Sequence, residues 1–244
     1  MKLNSNSTIL CVMGIEVRKE QPGAKPLSAK GEKARARLMA ACLAVLERDG
    51  YHKMRIADVT REAGMAQGLF YHYFKDLKSL TVEVLTQFAS AVHSPSLVEQ
   101  DVEKGDWYGR IYAYNLLIVK NYARRPGVMR CLLQMADEDS DFSQMLREQY
   151  REQLMWLVKL MPGMFPEVKF KRHQALMVAY SLAGIGEGML REYFINGSRT
   201  LQAAKLSEEQ FAELLSTMFY RALFLEHPDA EKLKYTSNLA GMVR

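Results

Sequence analysis

The stretch Ile56–Leu80, IADVTREAGMAQGLFYHYFKDLKSL, decides the fold. Ile56, Val59, Thr60 and Ala63 recur at i, i+3, i+4 and i+7, the spacing of one face of a short helix. Gly64 follows where the chain has to turn with positive φ, a conformation glycine adopts without a Cβ penalty. The helical pattern resumes after Met65 and Ala66, with Phe70 and Phe74 at i, i+4 as inward anchors. Around those anchors lie Gln67, Gly68, Tyr71 and His72, groups that a packed core does not need. A helix, a short turn and a polar second helix is the geometry that lays one helix in the DNA major groove. Two ordinary helices of an all-α core carry the same periodicity, so the spacing alone leaves both readings open.

The run resembles the DNA-binding domain of the TetR family of bacterial transcriptional regulators. The resemblance rests on Ala63-Gly64, Gly68, Tyr71-His72-Tyr73-Phe74 and Leu80 at the family's spacing, and it covers about residues 30–95. Three positions depart from the pattern. Met54 or Arg55 stands where a small hydroxyl residue usually caps the first of these helices. Ala66 replaces the serine at the start of the recognition helix. Leu77 replaces the lysine expected three positions after the phenylalanine, and Lys75 and Lys78 flank it. The resemblance implies DNA contacts from Arg55, Ala66, Gln67, Gly68, Leu69, Tyr71, His72, Lys75 and Lys78. The Gln67 amide suits an adenine edge, and the Leu69 tip suits a thymine methyl.

Charge is distributed to match. Residues 1–95 carry 14 Lys and Arg against 9 Asp and Glu, whereas the remainder carries 19 of each. The basic excess therefore falls in the part that would meet phosphates. No apolar run approaches the ~20 residues of a membrane span, and a cytoplasmic location is expected. Cys11, Cys42 and Cys131 are odd in number and lack metal spacing; Cys42 and Cys131 are expected to be buried thiols. His52, His72, His93, His173 and His227 are scattered, without ligand spacing. With no nucleophile–base set, no paired carboxylates and no phosphate-cradling loop, neither an enzyme, a metal site nor a cofactor is expected.

Taken in order, the chain divides into an N-terminal arm (1–27), a helix-turn-helix domain (28–75), a larger helical domain (76–228) and a loose tail (229–244). A first helix follows Ser28, turns Leu38, Ala41, Cys42 and Val45 inward and stops at Gly50. Asp76 caps a fourth helix that ends near Ser94-Pro95. Further helices span Trp107 to Ala123, Val128 to Ala136, and Ser140 to Met161, where Pro162-Gly163 ends the last. The acidic run Asp137–Asp141 reads as a solvated helix start, because its spacing is not that of a calcium loop. Two long helices complete the domain. One runs over Glu167–Phe194 with Gly184, Gly186 and Gly188 inside it. The other opens on Ser207-Glu208-Glu209-Gln210, a capping box, and runs to His227-Pro228.

The fold expected is all-α: a three-helix DNA-binding domain joined to a helical ligand-binding and dimerisation domain. The resemblance implies a homodimer through the last two helices, where Leu215, Met218, Phe219 and Ala222 suit an interface. Methionine and aromatic side chains between helices suit an apolar pocket of a few hundred Å³, with Met135, Met145, Trp156, Met177, Tyr180 and Glu187 as candidate lining. The expected function is a repressor that holds a palindromic operator as a dimer and is released by a small, uncharged, largely apolar ligand. The alternative is a DNA-binding regulator of the same fold controlled by a protein partner or by no ligand.

Overall fold

A computed structural model describes residues 27–92, 102–169, 171–226 and 228–236. The expectations for residues 1–26, Cys11, His93, the helix end at Ser94-Pro95, His227 and residues 237–244 lie outside the described residues. Among the described residues the structure is helical, with no strand. In chain order the α-helices are α1 (Ala29–Asp49), α2 (Ile56–Glu62), α3 (Phe70–Tyr73), α4 (Leu77–Val92), α5 (Trp107–Arg124), α6 (Pro126–Glu138), α7 (Ser140–Met164), α8 (Arg172–Leu190), α9 (Arg199–Gln202) and α10 (Glu208–Phe224). The described residues form two compact units. The first holds residues 27–91 together with Gly127–Leu146; the second holds the described residues of Val92–Pro126 and those from Arg147 to Thr236.

In the first unit the Ser28 hydroxyl accepts the Gly31 N–H at 3.2 Å and starts α1, and Gly50, at φ +79°, ends it. Leu38, Cys42, Val45 and Leu46 of α1 meet Val59, Phe70, Leu80 and Leu85 in a core fully closed to solvent. Each such side chain contributes roughly 1.5–3 kcal/mol of burial. Arg55 leads into α2 without a side-chain cap, as its identity predicts. Asp58 compensates from inside the helix, its carboxylate accepting the Arg55 N–H at 3.0 Å. Asp76 accepts the Ser79 N–H at 2.7 Å and opens α4. Both thiols are buried in this unit, and burial pushes Cys42 up to about 12.

Helix α6 starts two residues earlier than the sequence reading has it. Pro126 takes the first helical position, where its missing N–H costs nothing. The N–H groups of Gly127 and Val128 are accepted by the Glu47 carboxylate of α1 at 3.1 and 2.9 Å. Two further ion pairs tie this segment to the helix-turn-helix region: His52–Glu138 at 2.9 Å and Lys78–Asp139 at 2.7 Å.

In the second unit α10 packs along α5. Asn115 donates to the Ser216 hydroxyl at 3.0 Å, and Tyr108 meets Thr217 at 3.4 Å. Three expectations need correction here. Helix α7 continues through Pro162 to Met164, because a proline in the last turn removes a single hydrogen bond. Helix α8 begins at Arg172 rather than Glu167, after a turn through Pro166, and passes into a π-turn over Arg191–Ile195. Finally, residues 229–236 are not loose. Ala230–Lys232 form a 3-10 turn, and Leu233 and Thr236 are buried. The buried Glu213 carboxylate accepts the N–H groups of Lys234, Tyr235 and Thr236 at 3.0, 2.6 and 2.7 Å.

Candidate nucleic-acid interface and ligand cavity

The turn after α2 is fixed from both sides. Gly64 sits at φ +61°, and the Met65 N–H closes on the Thr60 carbonyl at 2.9 Å. From α1, the Arg37 guanidinium donates to the Ala63 and Gly64 carbonyls and so caps the end of α2. Sequence reasoning missed Arg37, because a cap supplied from another helix leaves no local signature. After Ala66 the chain enters a single 3-10 turn, Gln67–Leu69, that runs directly into α3.

On this short helix Phe70 and Phe74 point inward, their ring centroids 6.0 Å apart and both rings buried. Arg35 lies 5.0 Å from the Phe74 centroid and pairs with Glu83, which holds the back of the helix against α1 and α4. The opposite face is open. Ala66, Gln67, Gly68, Leu69, Tyr71, His72 and Lys75 are all exposed. A Cβ on Gly68 would meet nothing within 4 Å, so packing does not require glycine there. Arg55 is exposed at the start of α2.

The two lysines differ. Lys75 is exposed and has no ionic partner among the described residues. The Asp139 carboxylate binds the Lys78 ammonium and holds it above its ordinary pKa. Leu77 is half-buried and belongs to the packing of α4.

The second unit contains a cavity of about 90 Å³ between α5, α7, α8 and α10. It is smaller than the few hundred Å³ expected. Its walls are mostly apolar, with Ile111, Ile118, Leu154, Leu182 and Phe219 among them, and its polar groups include Arg110, Gln153 and Glu187. Of the six residues predicted to line a pocket, Trp156 and Glu187 do so, with Trp156 stacked on Tyr114 at 5.9 Å. The other four lie elsewhere. Met135 is buried in the first unit, and Met145 packs there against the Thr86 hydroxyl at 3.4 Å. Met177 is 68% exposed on α8, and Tyr180 is exposed beside the Tyr150 ring. Helical spacing orders faces around an axis but does not say which face is inward when several are apolar.

The four predicted interface residues divide in a similar way. Leu215 is buried and lines the cavity, and Phe219 lines it while packing on Gly186, where a Cβ would approach its ring to 3.0 Å. Met218 and Ala222 face outward on α10. On α8, Met177, Ser181, Gly184, Ile185 and Gly188 form one exposed face at i, i+4, i+7, i+8 and i+11. Gly184 and Gly188 have open space where a Cβ would stand.

Burial raises the Glu187 carboxyl above its ordinary range, and the Tyr150 hydroxyl donates to it. The same burial, with the Glu187 charge beside them, raises Tyr114, Tyr122 and Tyr150. No group of three or more His, Cys, Asp or Glu able to hold a metal occurs among the described residues. No described helix is long and apolar enough to cross a membrane.

A helix-turn-helix unit with a solvent-facing second helix, among described residues that are otherwise helical, is the geometry by which DNA-binding regulators present a recognition helix. Residues 38–84 match the model of the bacterial regulatory proteins of the tetR family. The chain is similar to the uncharacterized helix-turn-helix-type transcriptional regulator YdgC of Bacillus subtilis (strain 168), with 27% identity over 120 residues. That match spans 48% of this chain and 54% of the relative, about half of its length. Among solved structures, a protein of Pseudomonas aeruginosa PAO1 named as a transcriptional regulator aligns with a TM-score of 0.63 at 18% identity, over 79% of this chain and 90% of that one. A TetR-family transcriptional regulator of Bordetella parapertussis 12822 aligns with a TM-score of 0.58 at 18% identity, over 81% and 100%. At such identity these likenesses establish the fold alone.

Proposed function

We propose that this chain regulates transcription by reading a palindromic operator as a homodimer, acts as a repressor, and leaves the DNA when a small, largely apolar ligand enters the second unit. The observation that carries the DNA-binding part is the outward face of Gln67, Gly68, Tyr71, His72 and Lys75, set opposite the buried Phe70 and Phe74. Packing does not use these groups, and together they supply an amide, a bare backbone, two ring donors and a free cation to a groove. The open face of α8 and the outward Met218 and Ala222 of α10 support self-association. The glycines on that face allow a second helix to approach closely.

The cavity supports the ligand by its chemistry rather than its size. Its walls give little compensation to a charge, whereas each buried CH₂ gains about 0.8 kcal/mol. A cavity of about 90 Å³ takes a molecule of only a few heavy atoms unless the helices part, so larger ligands would have to open it. The same small volume keeps a second reading in view, a regulator of this fold that answers to a protein partner or to no ligand. Thermal-shift screening of small apolar compounds, followed by DNA titration, separates the two. Stabilising compounds that weaken DNA binding are expected; stabilisers that leave it unchanged would favour the second reading.

A further inference from the structure

Glu187 is out of place in a cavity of this kind. It projects from α8 among Tyr114, Tyr150, Leu154, Leu182 and Leu190, and its hydrogen-bond partner is one phenol, that of Tyr150. No basic group lies within ion-pair distance of it among the described residues. The basic residue of the lining, Arg110, instead sets its guanidinium over Trp107, 5.6 Å from the ring centroid. One turn beyond Tyr150 on α7, Gln153 also lines the cavity and keeps its Oε1 buried without a hydrogen-bond partner. Glu187, with one donor from Tyr150, and the Gln153 Oε1, with none, thus line one cavity from α8 and α7, where the Arg110 Nε is also buried without a hydrogen-bond partner. Three aromatic rings, of Tyr114, Tyr150 and Trp156, share the cavity with them.

We propose that the cavity takes a small aliphatic amine, with the ammonium against Glu187 and Gln153 and the apolar body against the leucines and Phe219. This rests on the reading of the cavity as a ligand site. It replaces the uncharged ligand expected from composition with a largely apolar one that carries a single positive group. An ammonium offers three donors and no acceptor, which suits a carboxylate with a single donor beside an unpaired amide oxygen. Ring faces attract a cation further, most strongly where water is excluded. Burial favours the protonated Glu187 carboxyl, and an ammonium placed beside it favours the charged carboxylate in return. The Arg110 guanidinium in the lining disfavours a second positive group on the ligand.

The test uses the full chain and matched probes small enough for the cavity that differ only in the polar atom: n-propylamine against 1-propanol, and n-butylamine against 1-butanol, titrated calorimetrically. A charge-assisted hydrogen bond predicts that each amine binds about 10- to 100-fold more tightly than its alcohol. Glu187→Gln should remove that preference by weakening the amine, with the alcohol changed by no more than about twofold. Should the glutamine variant fail to fold, Glu187→Asp, which withdraws the carboxylate by one methylene, must reduce the preference in the same direction. Alcohols that bind as well as amines to the unmodified chain, or a preference that survives substitution of Glu187, would overturn the amine assignment and leave the cavity as a ligand site. Failure of both amines and both alcohols to bind would overturn the ligand site as well.

Discussion

Lys75 and Lys78 stand three residues apart and have different tasks. Lys78 is held by Asp139, so a phosphate would have to compete with a carboxylate 2.7 Å away, whereas Lys75 is free to meet one. Each phosphate contact contributes about −0.9 to the slope of log K against log salt. Lys75→Ala should therefore lower affinity for all duplexes alike and reduce that slope by about one, and Lys78→Ala should leave the slope nearly unchanged. Titrations at several salt concentrations check this, and equal effects from the two variants would contradict it. Glu187 makes a second prediction at this scale. Its pKa is raised in the folded chain, so the native state holds this proton to higher pH than the unfolded state does. The stability associated with that proton is complete below the ordinary carboxylate range and is lost as pH rises through the raised value. Thermal melts across that window should slope downward for the native chain and more weakly for Glu187→Gln. Parallel slopes would mean that the carboxyl is not titrating as its burial requires.

Two helix elements are fastened by carboxylates that no local pattern reveals. Glu47 accepts two N–H groups at the start of α6, and Glu213, inside α10, accepts three from residues 234–236. Glu47→Ala should cost about 1–2 kcal/mol, the usual loss for a helix N-cap. Glu213→Ala should cost more, about 3 kcal/mol, because it leaves several backbone donors unpaired at a buried site. Urea unfolding measures both, and a loss below about 0.5 kcal/mol in either would mean that the contact is not maintained in solution. These two residues also show what the sequence conveys and what it omits. The limits of α1, the turn at Gly64, the inward Phe70 and Phe74, and the caps at Ser28, Asp76 and Ser207 were all legible, because each depends on residues within one or two turns. Glu47 and Arg37 cap helices to which they do not belong, and Glu213 looks like one more charge following a polar first turn. Met135 and Met177 misled for the opposite reason. They carry a pocket's chemistry, but only the packing of whole helices decides that one is core and the other surface. The exposed face of α3 was legible because its residue types conflict with burial, whereas the cavity wall was not, since apolar walls and apolar cores have the same composition.

At the scale of the whole molecule the account requires two copies. Met218→Glu places a charge on the outward face of α10, which is 48% exposed at that position and does not line the cavity. Sedimentation should find monomers that remain folded but lose tight operator binding, since one recognition helix gives only half of the contacts. A variant that stays dimeric with full affinity would put the interface elsewhere. The central claim, that the face of Gln67–Lys75 reads DNA sequence in a symmetric assembly, is tested most directly by selecting bound duplexes from a random pool. The account predicts enrichment of an inverted repeat whose half-sites lie about one helical turn, 10–10.5 base pairs, or a multiple of it apart. With Gln67→Ala, preference should relax at the same position in each half, at a cost of about 1–3 kcal/mol. A pool that shows no enrichment, or an enriched sequence indifferent to Gln67 and the residues beside it, would contradict the account.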